Sequence, residues 1–312
     1  MKTVIYYFSG TGNTEKVVNA AADALRGHGW DAAACAIERA ENVAETVAAC
    51  GSIGIGYPVH AFNAPASVIR FAEELPAQEQ PKPFYIFKTS GEPLALNNIS
   101  SCKLRAVLEK KNYVFQSEYH YVMPYNIIFR HTDKMAYRMW ETAKRLIPID
   151  CADLAAGIPA AEKSFPFGSA LAWIMRVEHW GGRWNGKMYS VDESCVHCMK
   201  CVKTCPTHNI TYENGKFCFG GDCLMCMRCA FHCPKNAIKI GLFNKWKVNG
   251  AYSFLPPAAE EEERHKRYCK NSFEKYFEHA RRRVLASGGD FPDELRMPAA
   301  EEEDDLSARA TE

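Results

Sequence analysis

The sequence predicts an open, doubly wound α/β domain with a parallel sheet, then a small α+β module rich in cysteine, then a charged helical C-terminus. Three observations carry this. The first half alternates short, continuous apolar runs with segments of helical periodicity, the pattern of a parallel sheet covered on both faces by crossover helices. Eight cysteines fall in two dense runs between Cys195 and Cys233. Beyond Pro256 and Pro257 the stretch from Glu260 to Leu285 keeps a helical pattern but is densely charged.

In chain order, Val4 to Phe8 reads as a buried strand and Glu15 to Arg26 as a helix. Ser52 to Gly56 is a strand, Ala64 to Glu74 a helix, Phe84 to Lys88 a strand and Leu104 to Lys111 a helix. Tyr119 to Met123 adds a strand, and Asp133 to Arg145 a long amphipathic helix that closes the first domain, residues 1–155. Residues 156–190 turn to Gly, Pro, Phe and Trp and read as a connecting segment packed on one or both domains. Within it, FPFGSALAWIM from Phe165 to Met175 is shorter than the roughly 20 residues of a membrane span. A buried or partner-facing helix is expected there in preference to a membrane-surface anchor. Residues 191–242 form the cysteine module. Residues 243–312 form the charged helix and an acidic end, EEEDD at Glu301 to Asp305, expected to be a solvated, disordered tail.

Composition narrows the function. A chain of 312 residues, 47% hydrophobic, suits two globular domains. A net charge of +1 argues against a protein that coats nucleic acid. No cationic leader precedes an apolar core at Lys2, so a cytoplasmic protein is expected. Of 14 cysteines, Cys35, Cys50, Cys102, Cys151, Cys218 and Cys269 are dispersed. The dense runs point to metal or redox chemistry in a reducing compartment.

The first turn, FSGTGNT, leads from a strand into a helix. It lacks the lysine of a Walker A loop, and Glu15 stands where a dinucleotide fingerprint needs Gly or Ala. Ser9, Gly10, Thr11, Gly12, Asn13 and Thr14 instead offer hydroxyls and backbone donors at a helix N-terminus, which favour an anion. Neutral donors without a lysine suit a phosphate monoester such as that of FMN. The stretch resembles the first loop of flavodoxins, over roughly residues 1 to 150. That resemblance implies a five-stranded flavodoxin-like sheet with the flavin at its C-terminal strand ends. It also implies ring contacts from the loop after the third strand, with Tyr57, Pro58, Val59, His60 and Phe62, and from the loop after the fourth, with Thr89, Ser90, Gly91 and Glu92.

The cysteine run CVHCMKCVKTCP from Cys195 recurs as CLMCMRCAFHCP from Cys223, 28 residues on. Each is C-x2-C-x2-C-x3-C-P, a spacing that favours a four-iron cluster over zinc, whose modules pair C-x2-C with a distant second pair. Pro206 and Pro234 turn the chain away after each run. The module resembles bacterial two-cluster ferredoxins. Their cross-ligation implies one 4Fe-4S cluster on Cys195, Cys198, Cys201 and Cys233, and a second on Cys223, Cys226, Cys229 and Cys205. His197, His208 and His232 are expected in surface or hydrogen-bonding roles, and Cys218 as a buried or incidental thiol.

The whole layout resembles flavodoxin-like proteins fused to ferredoxin modules, found among anaerobic microbes. It implies an electron-transfer protein that couples two-electron and one-electron partners through FMN and two 4Fe-4S clusters, with no catalytic acid or base. The partner would be a redox protein, and a homodimer in which flavin serves a second chain stays open. A flavoenzyme reducing a small organic substrate is the alternative, with His60, Tyr57 or His120 as proton donor. A weaker third reading is a redox sensor docking through the charged helix.

Overall fold

The protein is described here from a computed structural model, which covers residues 1–161, 167–256 and 270–297. Five parallel strands, β1 (Lys2–Tyr7), β2 (Asp31–Ala36), β3 (Ser52–Pro58), β4 (Lys82–Ser90) and β5 (Tyr113–Val122), lie in the order β2-β1-β3-β4-β5. Helices α1 (Asn13–Gly27), α2 (Val43–Ala49), α3 (Ala66–Glu74), α4 (Cys102–Glu109) and α5 (Asp133–Ala155) cover it.

Strand alternation builds two cores. On β1, Ile5 and Tyr7 face α1 and α5, joining Val18, Leu25, Phe87 and Ile147. Val4, Tyr6 and Phe8 face α2, α3 and α4, joining Ile55, Val68 and Leu104. Period-2 side chains on a sheet buried on both faces dictate this split. The sequence reading did not place β2 or α2, because Ala-rich β2 lacks the branched and aromatic residues that mark a strand.

Helix α5 runs past its expected end at Arg145, through Pro148, to Ala155. An internal proline costs about 3 kcal/mol. Burial of Cys151 and Leu154 beyond it offsets that cost.

The segment 156–190 is not merely a connection: it holds α6 (Gly168–Met175) and α7 (Val177–Gly186). The apolar run, expected as a buried or partner-facing helix, leaves Trp173 and Ile174 exposed. The cysteine module follows, with β6 (Tyr189–Val191), α8 (Lys200–Thr204), β7 (Ile210–Glu213), β8 (Lys216–Phe219), α9 (Arg228–Phe231) and β9 (Ile238–Ile240). Strands β6 and β9 pair antiparallel, as do β7 and β8.

Helix α10 (Lys270–Ala286) carries the charged pattern, yet it is built into the first domain. Phe273 and Phe277 pack on Val122, Met135 and Met139. Arg283 bonds Asp150 and, at 2.7 Å, Asp153 of α5. The acidic run at 301–305 lies outside the described residues. Among the described residues no helix is long and apolar enough to cross a membrane.

Candidate functional site

A cleft of about 420 Å³ opens at the C-terminal ends of the strands, where the order reverses between β1 and β3. Open α/β sheets bind ligands at this switch point. Four loops wall it, after β1, β3, β4 and β5.

At one end lies the turn Ser9 to Thr14. Gly12 caps α1 in the left-handed region, φ 98°, and brings no side chain of its own to cap the first-turn amides. Glycine adopts that φ without a Cβ penalty. The Ser9 hydroxyl accepts the Gly12 N–H at 3.1 Å, and the Thr14 and Thr89 hydroxyls share a bond of 2.8 Å. The Asn13 amide donates to the Pro124 carbonyl at 2.8 Å, tying this turn to the loop after β5. Among the described residues the cleft lining carries no lysine or arginine, and Glu92 is its one acid. An anion there would rest on amides, hydroxyls and the helix dipole.

At the other end, His60 and Asn63 exchange backbone bonds across a tight turn whose central residues, Ala61 and Phe62, have φ of 40° and 62°. Non-glycine residues in that region store strain, which clusters at ligand sites. The loop after β4 rests on a buried polar network. Lys88 Nζ lies 3.2 Å from Glu118, both wholly buried, and donates to the Asn97 carbonyl. Asn97 in turn donates to Ser90 Oγ at 3.0 Å and to the Glu92 carbonyl at 2.7 Å, while Ser90 meets His120 Nε2 at 2.7 Å. Gly91 has a steric reason: a Cβ there would lie 2.3 Å from the Tyr125 ring.

The cleft gathers Ser9, Gly10, Thr11, Asn13, Thr14, Pro58, Val59, His60, Phe62, Thr89, Ser90, Gly91 and Glu92 of the residues expected from sequence. Two expected residues do not line it. Gly12 shapes the turn from behind. Tyr57 is wholly buried in the opposite core with Ile53 and Ile55, its hydroxyl 3.2 Å from Ser100. Alternation on β3 sends it there, and burial raises its pKa well above 10. His120 lies beneath the cleft, and burial pushes its pKa down to about 3. Burial likewise brings His60 down to about 4. Neither imidazole is charged at neutral pH. Leu94 and Asn97 also line the cleft, as expected of the loop from Lys88 to Asn98, whereas Met225 and the whole loop Met123 to Ile128 are not anticipated from sequence. The end of β5 was the available signal for that loop; nothing local marks Met225.

The cysteine module reproduces its sequence repeat in three dimensions. Left-handed His197, Met199 and His208 recur 28 residues on as Met225, Met227 and Asn236. The N–H of His197 points to Cys195 Sγ at 3.4 Å, and that of Met225 to Cys223 Sγ at 3.4 Å. Asn209 N–H meets Cys205 Sγ at 3.3 Å, and Ala237 N–H meets Cys233 Sγ at 3.2 Å. Alternating left- and right-handed residues with inward amides form an anion-binding nest. Cys205, Cys223, Cys226 and Cys229 line one small cavity with Tyr189, Ile210 and Phe219. Every described cysteine is a free thiol, and Cys218 is exposed rather than buried. Among the described residues no three His, Cys, Asp or Glu side chains close on a point as ligands of one metal ion do.

The two halves meet at the first turn. A Cβ on Gly10 would lie 2.1 Å from the Cys226 carbonyl oxygen. Arg228 donates to the carbonyls of Ser9 at 2.7 Å, Gly10 at 3.4 Å and Thr204 at 3.1 Å, and pairs with Glu38. Peptides here are trans, so pinning the Ser9 and Gly10 carbonyls turns the next two N–H groups away from the guanidinium. Met225 lines both the cleft and the cysteine cavity.

The first half of the chain has a flavodoxin-like fold. Its strand order is that of the flavodoxin-like class. The chain is similar to several solved structures. A flavodoxin from Pseudomonas aeruginosa, a C101S mutant, is 14% identical, with a TM-score of 0.38 over 51% of this chain and 99% of that one. The two-electron reduced flavodoxin of Megasphaera elsdenii is 24% identical over 38% of this chain and 85% of its own, TM-score 0.34. An NADH:FMN oxidoreductase in its apo form is 12% identical over 54% and 93%, TM-score 0.40. No protein-family model matches the chain, and no curated protein does.

Proposed function

We propose that the protein is an electron carrier that holds FMN in the cleft and two 4Fe-4S clusters in the cysteine module, and moves electrons between them for a redox protein partner. The observation that carries it is the shared wall: Met225 lies between the cleft and the cavity of four thiols, with Cys226 against Gly10.

The residues present fit both groups. Ser9, Thr11, Thr14 and the amides at the head of α1 would hold the phosphate, and Pro58 to Phe62, Thr89 to Glu92 and Met123 to Ile128 would enclose the ring. Cys205, Cys223, Cys226 and Cys229 would hold one cluster, and Cys195, Cys198, Cys201 and Cys233 the other, with the four N–H to sulfur bonds adjusting potential. A four-iron cube keeps its thiolates apart, unlike a single zinc ion, which suits four thiols spread around a cavity. Bound FMN supplies a carrier that exchanges electrons in pairs or singly, and the cubes exchange them singly.

The chain's own residues position and insulate. Arg228 locks the first turn to both cysteine runs, Tyr125 and Met225 wall the cleft, and the Lys88–Glu118 pair fixes the loop beneath the ring site. Because both sites share residues of one chain, a homodimer is not required for transfer. The reducing cytoplasm suits thiolate-held clusters. The substrate-reducing alternative is less supported, since Tyr57 is outside the cleft and His60 and His120 are neutral.

Anaerobic reconstitution followed by iron, sulfide, zinc and flavin analysis tests the reading, together with stopped-flow reduction. Flavin bound with iron and sulfide, and cluster bleaching that follows flavin reduction, is the expected result. Zinc without flavin would overturn it, and rapid turnover of a small quinone or nitro compound would favour the enzyme.

A further inference from the structure

Helices α6 and α7 are joined by Arg176, which keeps right-handed helical angles, φ −66° and ψ −9°. One face of this pair is packed on the protein. A Cβ at Gly182 would lie 3.2 Å from the Met225 side chain, and one at Gly186 only 2.2 Å from that of Cys223. Asn185, also buried, donates to the Ile240 carbonyl at 3.1 Å and accepts from the Leu242 N–H at 2.9 Å. The small residues at i and i+4 therefore lay the helix directly on the second cysteine run.

The opposite face is apolar and open. Trp173 is 68% exposed, Val177 70%, Trp180 80% and Trp184 61%. Their spacing of four, three and four residues puts them in one stripe. Phe167 and Ile174 widen it, and exposed Leu242 and Trp246 extend it from the segment packed on α7.

Beside the stripe runs a second one. Each tryptophan is followed three residues later by a base: Trp173 by Arg176, Trp180 by Arg183 and Trp184 by Lys187. Residues three apart are neighbours on a helix surface. Lys245 adds a further exposed base beside Trp246. Of these bases, Arg183 also contacts Asp222, at 3.3 Å.

Tryptophan concentrates at membrane–water interfaces, where its ring sits at headgroup depth. Helices that lie in that plane pair such rings with lysine and arginine. A matched row of bases alongside a row of indoles complements anionic headgroups above acyl chains.

We propose that the face of α6 and α7 docks the protein on an anionic lipid surface, lying on the bilayer and not through it. The docked face backs onto Cys223 and Met225, so the second cysteine run is held against the membrane plane. This placement is independent of which cofactors the chain carries.

The test uses the full-length reconstituted protein and vesicles of one part phosphatidylglycerol to two parts phosphatidylcholine, with pure phosphatidylcholine for comparison. Co-sedimentation with the anionic vesicles, a blue shift of tryptophan emission and quenching by brominated lipid are expected. Salt should weaken the binding. Replacing Arg176, Arg183 and Lys187 by Gln one at a time should weaken partition by about five-fold per charge. The triple change Trp173→Ser, Trp180→Ser and Trp184→Ser should abolish it with the melting temperature unchanged. Should that variant fail to fold, bromolipid quenching of the unaltered protein still decides. Absence of quenching would overturn the proposal. So would sedimentation showing a dimer that the Trp180→Ser change dissociates, which would make the face an interface between copies.

Discussion

Arg228 is the residue on which the junction turns. Its donors reach the Ser9, Gly10 and Thr204 carbonyls, and Glu38 balances its charge. Replacing Arg228 by Met leaves three carbonyls short of a donor, and flavin affinity should fall by roughly ten-fold, about 1.5 kcal/mol for lost charge-assisted bonds. Quenching of flavin fluorescence on titration reads this directly. Gly10→Ala should act more harshly, because the Cys226 carbonyl leaves no room for a methyl. A destabilisation of about 1–3 kcal/mol by denaturant melts, with weaker flavin binding, is expected from such overpacking. Tyr57→Phe is the contrasting case. It removes one buried bond to Ser100, so stability should drop by about 1 kcal/mol while flavin affinity stays unchanged. Sequence alone placed Tyr57 in the ring loop; strand parity, visible once β3 runs to Pro58, puts it in the core.

At the scale of elements, the loop after β4 is held from beneath by the pair that β4 and β5 bring together. Lys88→Met would leave Glu118 buried without its partner, at a cost of about 3–5 kcal/mol. Adding Glu118→Leu should recover most of it, because two apolar groups need no partner; guanidinium melts of the single and double variants give the comparison. Buried titratable groups set a pH response. Burial holds the folded pKa of His60 near 4 and of His120 near 3, below the ordinary 6.5, so the unfolded chain takes up the protons. Their contribution is full above pH 6.5 and is lost as pH falls through about 4 and then about 3. Asp150 runs the other way. Burial, opposed by Arg283 and Tyr121, raises it from 3.8 to about 6. Its contribution is therefore full below 3.8 and lost as pH rises through about 6. Melts of His120→Gln should show a flatter acid limb, and melts of Asp150→Asn a flatter stretch between pH 4 and 6.

Across the whole molecule the two halves share side chains. Phe231 packs with Ala136, Val248 and Tyr252, and Leu224 with the core of α3. Arg130 donates to the carbonyls of Asn249, Gly250 and Ala251. Under the proposed cross-ligation Cys205→Ser, a change in the first run, should disturb the cluster nearer the cleft. Cys233→Ser, in the second run, should disturb the farther one. Iron content and electron paramagnetic resonance of the two variants, with flavin-to-cluster electron transfer slowed only in the first, would separate these roles. The strand and helix alternation, the glycine turn at Ser9 to Thr14 and the repeat between Cys195 and Cys233 were fixed by local pattern, because period, turn chemistry and ligand spacing are properties of neighbouring residues. Met225 in the cleft wall, the Arg228 lock, the loop Met123 to Ile128 and the outward row of tryptophans were decided only by the tertiary structure. They depend on groups far apart in the chain, and on which helix face finds a partner, and no local period records either.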